Sequence, residues 1–354
     1  WLADRFNRVR LLSAACALWS AMTAVCGFAN SFATLFLARI GVGVGEAACV
    51  PTSHSIISDY FGPEGRTRAL AVFAMGIPVG TLAGLWIGGV VADAYGWRVA
   101  FFILGVPGIL LALLAWLTVR EPERAADAPP APRLGDAVRQ LFAMPAYLRL
   151  TFAAALASLA GYGLVAFLGV YFVRQHGLTL SEIGLGLGLV IGIGGAAGSF
   201  MGGYLRTLLG SVHAARRGAA LGLVLATPFV IAALWAPGPL LAFFWLLIVS
   251  MFNAFWYGPV FAEVQGLAAP RTRAMAAALF NLVVNLVGLG LGPTIIGALS
   301  DVAAAAGAAP GPALRVALAS SIVFNIAAAG FLLSVRARND VTETRFQTET
   351  ETAR

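Results

Sequence analysis

Two charged residues, Arg39 and Glu46, lie inside a long apolar stretch that reads LFLARIGVGVGEAACVP. The whole apolar segment, residues 33–57, is long enough to cross a lipid bilayer as a helix. A charge at the bilayer centre costs roughly 2.5–3.5 kcal/mol on insertion scales, so such a side chain usually faces a partner or a water-filled path. The two residues are two helical turns apart, nearly on one face, with Gly43 between them. The spacing indicates a pathway for a solute or a proton.

Glu46 is the candidate proton carrier because it lies about halfway through the segment. Burial disfavours its charged form, whereas the guanidinium of Arg39 favours it. A carboxylate held between these tendencies can bind a proton in one conformation and release it in another. Arg39 lies nearer the outer end, where it can snorkel to the interface or hold a phosphate group. The alternative interpretation of both residues is a buried ion pair that only holds helices together.

The composition excludes a soluble protein. Of the 354 residues, 60% are hydrophobic and 11% are charged, and the mean hydropathy is +0.86. Such a chain could not cover its own surface with polar groups. The pI of 9.9 comes from arginines in short loops, which is typical of a topology signal rather than of nucleic-acid binding. The three cysteines lack metal-ligand spacing, so we expect no metal site.

Ten apolar spans of about 20 residues are predicted to cross the membrane. They are residues 11–29, 33–57, 69–91, 100–119, 148–172, 183–205, 219–236, 240–264, 275–299 and 314–335. Nineteen arginines fall in the loops on one side and three on the other. Because arginine-rich loops stay in the cytoplasm, this distribution predicts that these loops and the C-terminus are cytoplasmic.

The chain also contains an internal repeat. Residues 50–73 (VPTSHSIISDYFGPEGRTRALAVF) run parallel to residues 258–280 (GPVFAEVQGLAAPRTRAMAAALF), each with a proline and an acid ahead of Arg-Thr-Arg-Ala. Such a repeat is typical of a two-halved transporter. The predicted domains are an N-terminal transmembrane half (1–119), a cytoplasmic linker (120–147), a C-terminal transmembrane half (148–335) and a disordered cytoplasmic tail (336–354). Within the linker, an amphipathic helix beginning at Leu134 and plain disorder are the alternatives.

The first ten residues, WLADRFNRVR, resemble the charged loop signature of the major facilitator superfamily, Gly-x-Leu-x-Asp-Arg followed by basic residues. Asp4, Arg5, Arg8 and Arg10 occupy the charged positions. The resemblance implies an all-α polytopic membrane protein with the major facilitator fold of two six-helix halves. Because the signature follows the second helix, it also implies that about ten of twelve helices are present and the first two are missing.

Within that superfamily the chain resembles the spinster-like transporters. The segment RIGVGVGEAACVPTSHSIISDYF is similar to their fourth helix, and NLVVNLVGLGLGPTIIGALSD, at residues 281–301, is similar to their eleventh. The resemblance implies a proton-coupled secondary transporter that moves lysophospholipids or sphingolipids by alternating access. It assigns proton coupling and gating to Arg39 and Glu46. It further implies a charge network that closes the cytoplasmic gate, and the predicted members of this network are Asp4, Arg5, Arg8, Arg10 and Asp59.

The second half offers polar candidates of its own. Five uncharged side chains in apolar spans are predicted to line a cavity: Tyr162, Asn253, Tyr257, Asn281 and Asn285. Hydrogen bonds that pack helices together are the alternative role for such groups. Arg206 stands near the place where the repeated loop signature should have an acid, so we predict that it pairs with Glu263.

Three alternatives to a lipid transporter are an intramembrane enzyme, an antiporter and a nonfunctional fragment whose missing helices take half of the N-terminal cavity wall with them. An intramembrane enzyme is not expected, because the three histidines are scattered and Glu46 is the single deep carboxylate. A drug or metabolite/proton antiporter is the alternative transport function, since Gly76, Pro78 and Gly80 echo the antiporter motif of the fifth helix. We expect a monomer in the bacterial inner membrane. Its partners are protons, membrane lipids and a small amphiphilic substrate, without nucleic acid or cofactor, and the proton gradient supplies the energy.

Overall fold

The computed structural model describes residues 6–122, 134–268 and 272–335, and all regular structure within these ranges is helical. The α-helices in chain order are α1 (Arg8–Gly27), α2 (Phe32–Glu46), α3 (Cys49–Tyr60), α4 (Pro63–Tyr95), α5 (Trp97–Thr118), α6 (Leu134–Phe142), α7 (Pro145–His176), α8 (Leu180–Leu189), α9 (Gly195–Leu209), α10 (Val212–Leu234), α11 (Pro239–Asn253), α12 (Tyr257–Leu267), α13 (Arg273–Asn285), α14 (Gly292–Ala305), α15 (Pro310–Ala319) and α16 (Ser321–Ser334). Two π-helical segments, Val190–Gly194 and Leu286–Leu291, join α8 to α9 and α13 to α14.

The predicted membrane spans are confirmed. Among the described residues, ten helical segments are long and apolar enough to cross a membrane, and each coincides with one predicted span. The amphipathic segment of the linker forms α6, and Leu141 on this helix is buried. The chain is therefore a multi-pass helical membrane protein.

Three spans that the sequence presents as continuous helices are divided, and the tenth span divides at Ser320, between α15 and α16. The other two divide just before a helix that contains a proline in its first turn. The second span divides into α2 and α3, and the eighth divides into α11 and α12. In each case the second helix has a proline as its third residue, Pro51 in α3 and Pro259 in α12. Proline has no amide hydrogen for the carbonyl four residues earlier, and its ring clashes with that carbonyl. The break in the second span follows directly on Glu46.

The chain divides into two compact units. The first comprises Trp1–Pro130, Gly169–Ala196 and Pro237–Leu247. In it α1 packs against α2 and α5, while α4 packs against α8. The second comprises Ala131–Leu168, Ala197–Ala236 and Ile248–Arg354. Its core contains the buried side chains of Tyr147 and Phe280, and the Tyr147 hydroxyl donates to the Ala276 carbonyl oxygen at 2.9 Å.

The contact between α4 and α8, inside the first unit, is made by small residues and a cap. A row of glycines on α8 and the following π-helical segment meets α4: Gly184 at Leu85, Gly188 at Leu82 and Gly192 at Pro78. A β-carbon on Gly184 would overlap the Leu85 carbonyl oxygen. At the end of α4, the Asp93 carboxylate accepts the first amides of α8, with Leu180 at 3.0 Å and Ser181 at 2.6 Å. Backbone contact and helix capping together hold the two helices.

Candidate functional site

Arg39 and Glu46 lie on the exposed face of α2. Gly43 lies between them on that face, and a β-carbon placed there would meet nothing within 4 Å. The opposite face of the helix is buried, and Gly45 packs closely against Trp19 of α1. The face that carries the two charges is therefore open to a ligand.

No ion pair joins Arg39 to Glu46, and neither side chain has a hydrogen bond to the residues that the structure describes. The static ion pair considered as an alternative is thus absent from this part of the structure. Glu46 is the last residue of α2. The unpaired carbonyls at a helix C-terminus carry partial negative charge, so a carboxylate at this position gains nothing from the helix dipole.

Arg8 is the centre of a buried charge cluster in the first unit. Its side chain is 5% exposed and donates through Nη1 to the carboxylate of Asp59 and, at 2.9 Å, to Ser55 Oγ. Its Nε donates to Glu121 Oε1 at 2.8 Å, and its Nη2 donates to the Pro122 carbonyl oxygen at 3.0 Å. Four of the five N–H groups of the guanidinium are thereby bonded, by two acids, a hydroxyl and a backbone carbonyl.

The other predicted members of the gate network take no part in this cluster. Asp4 and Arg5 lie outside the described residues. Arg10 is exposed on α1, and only its backbone amide has a described bond, to Asn7 Oδ1 at 2.8 Å. Within the described chain, the predicted network is therefore carried by Arg8 and Asp59 alone.

Glu121 belongs to the cluster, and the sequence analysis missed it. Its Oε2 accepts the Val9 amide at 2.9 Å, so the carboxylate caps the start of α1 as well as pairing with Arg8. Burial raises the pKa of the Glu121 carboxyl, but the Arg8 and Val9 hydrogen bonds and the Arg8 charge outweigh it and hold the pKa below its usual value. The signal in the sequence was weak, because Glu121 is one of two acids in the Arg-Glu-Pro-Glu-Arg segment after the fourth span.

Replacing Glu121 with glutamine should remove part of the acid sensitivity of the fold. Because the folded pKa is lowered, this carboxylate stabilises the fold above its ordinary pKa of 4.5, and the stabilisation is lost as the pH falls through the lower folded value. We expect the variant to lose about 1.5–3 kcal/mol at pH 7 and less below pH 4.5. Thermal unfolding in detergent across this pH range measures the difference. Asp301→Asn, on an exposed carboxylate, is the control, and equal acid slopes for Glu121→Gln and wild type would contradict the prediction.

The second unit contains a matching pair, Arg216 with Glu263. Arg216 Nη1 donates to Glu263 Oε1, and Nη2 donates to the Val335 carbonyl oxygen at 2.6 Å. In both units an arginine within the first five residues of a helix thus bonds an acid on a helix whose third residue is proline. The same arginine bonds a backbone carbonyl that follows another helix, Pro122 after α5 and Val335 after α16. The described partner of Glu263 is therefore Arg216; the side chain of the predicted partner, Arg206, lies outside the description.

The two ion pairs differ in how many of their polar atoms are hydrogen-bonded. Arg216 Nε and Glu263 Oε2 are buried without a hydrogen-bond partner in the described chain. The corresponding Nε of Arg8 is bound by Glu121. The second unit therefore repeats the pair without a second acid in the described chain.

A cavity of about 70 Å³ lies within the second unit. Its polar lining residues are Ser158, Tyr162, Tyr257, Asn281 and Asn285, and its apolar walls include Trp256 and Phe280. Four of the five predicted cavity residues are among them. The exception is Asn253, whose Oδ1 accepts from Nδ2 of the buried Asn325 at 2.9 Å. Asn253 thus has the packing role that was the alternative, because an amide partner from α16 reaches it.

Comparison with known proteins places the chain in a family. Residues 1–293 match the family model of the Major Facilitator Superfamily, and the chain belongs to that superfamily. It is a membrane transporter and not an enzyme, as the sequence predicts.

Individual relatives narrow the resemblance. The chain is 32% identical over 313 residues to an MFS-type efflux pump of Mycolicibacterium smegmatis, covering 85% of this chain and 70% of that protein. It is 38% identical over 138 residues to protein spinster homolog 1 of Homo sapiens (37% of this chain, 26% of that protein). It is 36% identical over 137 residues to the sphingosine-1-phosphate transporter SPNS2 of Danio rerio (38% and 27%).

A solved structure agrees with these sequence matches. The fold matches the crystal structure of a bacterial homolog to the human lysosomal transporter spinster, in an inward-facing and unoccupied conformation, with a TM-score of 0.80. The two chains are 31% identical, and the match covers 94% of this chain and 84% of the other. The predicted resemblance to spinster-like transporters is confirmed.

Proposed function

We propose that this protein is a proton-coupled secondary transporter that moves lipid-like amphiphiles, such as lysophospholipids or sphingolipids, by alternating access. The observation that carries the proposal is the open face of α2, where Arg39 and Glu46 lie inside a membrane span without a partner among the described residues. Ionisable side chains are expensive in a membrane and are retained where an ion or a substrate passes. The similarity to a sphingosine-1-phosphate transporter supports an amphiphilic substrate.

The two charges have separate tasks in this proposal. Glu46 takes up a proton in one conformation and releases it in the other, so that the proton gradient supplies the energy and no cofactor is needed. Arg39 presents a planar guanidinium, which suits a phosphate or carboxylate headgroup. Gly43 leaves the space in which such a headgroup approaches α2.

The Arg8–Asp59–Glu121 cluster holds the cytoplasmic end of the first unit in this mechanism. The arginine distribution supports an orientation with the arginine-rich loops and the C-terminus in the cytoplasm. We place the protein in the bacterial inner membrane as a monomer with an N-terminal and a C-terminal half. Protonation of Glu46 and closure of the cytoplasmic end are then coupled steps of one cycle.

Reconstitution of the purified protein in liposomes tests the proposal. Under an imposed pH gradient, wild type should move a labelled lysophospholipid, and Glu46→Gln should reduce this movement to the level of protein-free liposomes. Glu182→Gln is the matched control. Its glutamine side chain keeps an oxygen that can accept the hydrogen bond that the Thr179 amide donates to Glu182. Lipid movement at the same rate with and without the pH gradient, and in wild type and Glu46→Gln, would contradict proton coupling.

A drug or metabolite/proton antiporter is the second candidate, favoured by the match to the mycobacterial efflux pump over most of the chain. That function also uses a membrane carboxylate, so Glu46→Gln alone does not separate the two. Proton-driven extrusion of cationic dyes from the same liposomes, without lipid movement, would establish the antiporter instead.

A further inference from the structure

Ser158 on α7 has a buried hydroxyl without a hydrogen-bond partner in the described chain. The residue is 3% exposed, and its Oγ makes no hydrogen bond within the described chain. A helical serine or threonine ordinarily bonds the carbonyl four residues earlier. Thr151, on the same helix, does so, with the Tyr147 carbonyl at 2.8 Å. An unmade hydrogen bond of a buried polar group costs about 1–3 kcal/mol, so the position calls for an explanation.

The explanation lies in what surrounds it. Ser158 lines the 70 Å³ cavity of the second unit, together with two phenol hydroxyls and the amides of Asn281 and Asn285. These groups both donate and accept hydrogen bonds. None of the lining residues is charged. The cavity is therefore unsuited to a phosphate or an ammonium group and suited to an uncharged polar one.

The walls of the cavity further restrict the groups that it can hold. Trp256 and Tyr257 are stacked with their ring centroids 4.1 Å apart, and Phe261 and Phe280 complete the apolar side. The volume matches about two water molecules, or one small hydroxyl-bearing fragment. Aromatic walls beside amides are typical of sites that hold an alcohol or amide at the end of an apolar body.

We infer that this cavity binds the uncharged hydroxyl- or amide-bearing part of the amphiphile, with Ser158 Oγ, Asn281 and Asn285 as its hydrogen-bond partners. The inference rests on the proposed transport of amphiphiles and specifies which part of the substrate the second unit recognises. Amphiphiles with a hydroxyl or amide near the headgroup are then preferred over those with an equal chain and no such group. The cavity enforces this preference through the buried Ser158 hydroxyl, because a ligand that cannot bond this group leaves it unpaired.

Equilibrium binding to the purified protein, without a pH gradient, tests the inference. The probes are radiolabelled monopalmitoylglycerol, which has two hydroxyls and no charge, and methyl palmitate, which has the same chain and no hydroxyl. Wild type should bind the first more tightly. Ser158→Ala and Asn281→Leu should each weaken it about 3- to 10-fold, the range of one hydrogen bond, while methyl palmitate binding stays unchanged.

Two controls separate recognition from folding. Ser158→Ala removes a hydroxyl without a described bond, so the thermal midpoint of the variant should stay level or rise while its affinity falls. Tyr257→Phe should lose affinity, whereas Tyr204→Phe, on an exposed tyrosine outside the cavity lining, should not.

Three results would overturn the inference: equal binding of the two probes to wild type, no binding of either, or an unchanged preference in Ser158→Ala. These outcomes are distinct from a failure of the proposed function, which is measured by proton-driven transport and Glu46→Gln. Transport that depends on Glu46 while Ser158→Ala keeps its preference would leave the proposed function standing and remove only this subsite.

Discussion

Arg8→Ala should lower the free energy of unfolding by about 1.5–3 kcal/mol, the range for hydrogen bonds to charged groups. Two carboxylates, Asp59 and Glu121, depend on this one guanidinium. Their side chains are 28% and 24% exposed, so water can hydrate them in part when their cation is removed. Arg8→Lys should recover little, because an ammonium cannot reproduce the fork that reaches Asp59, Glu121 and the Pro122 carbonyl together.

Denaturant unfolding in detergent measures this loss, with the slope compared between variants to verify that the same transition is observed. Arg10→Ala is the matched control, since Arg10 lies two positions along α1, is exposed and has no described side-chain bond. Its unfolding free energy should stay within about 0.5 kcal/mol of wild type. Equal losses for the two variants would show that helix composition, and not the buried cluster, sets the stability.

Arg216→Ala should cost more, about 3–5 kcal/mol, because its ion pair is more deeply buried, but this loss should be reversible by a second substitution. The side chains of Arg216 and Glu263 are 4% and 11% exposed, and each has one buried polar atom without a partner. An incompletely bonded buried pair pays desolvation without full compensation, so an apolar pair of similar volume is often neutral or stabilising. Arg216→Met combined with Glu263→Leu should therefore regain most of the stability.

The thermal midpoints of both single variants and of the double variant, measured in one detergent, decide this prediction. Coupling between the sites appears as the difference between the double variant and the sum of the singles. Additive losses would mean that the two side chains are energetically independent despite their contact. The equivalent exchange at Arg8 should fail, because the third partner, Glu121, would remain unpaired.

The sequence alone was sufficient to predict the membrane spans and most of the residues that line the cavity. Twenty apolar residues suffice to cross a bilayer whatever their neighbours are, so the ten spans follow from length and hydropathy alone. Asn281 and Asn285 were recognisable because polar groups four residues apart share one helix face. The breaks after Glu46 and Asn253 were missed although Pro51 and Pro259 were visible, because prolines within membrane helices are often accommodated without a break.

The sequence could not show which residues are hydrogen-bonded to each other, for a different reason. Glu121 and Asn325 are 113 and 72 residues from the groups they bond, and nothing local distinguishes them from other polar residues near span ends. Arg216 was passed over in favour of Arg206 because the repeated loop differs between the halves, so position in the motif no longer fixes position in space. Ser158 carries no sequence signal at all; its missing hydrogen bond together with its place on the cavity wall, both visible only in three dimensions, distinguishes it.

The glycine row between α4 and α8 has one more consequence. Gly184, Gly188 and Gly192 recur every fourth residue, so sliding this segment by four residues, about 6 Å along the axis, would place two of the three glycines where a neighbouring glycine had been. The glycines alone therefore allow more than one register between this segment and α4. The Asp93 carboxylate bonds the first amides of α8 in only one of these registers. A single acid at the end of α4 thus selects the axial position of a helix whose packing surface would otherwise tolerate several.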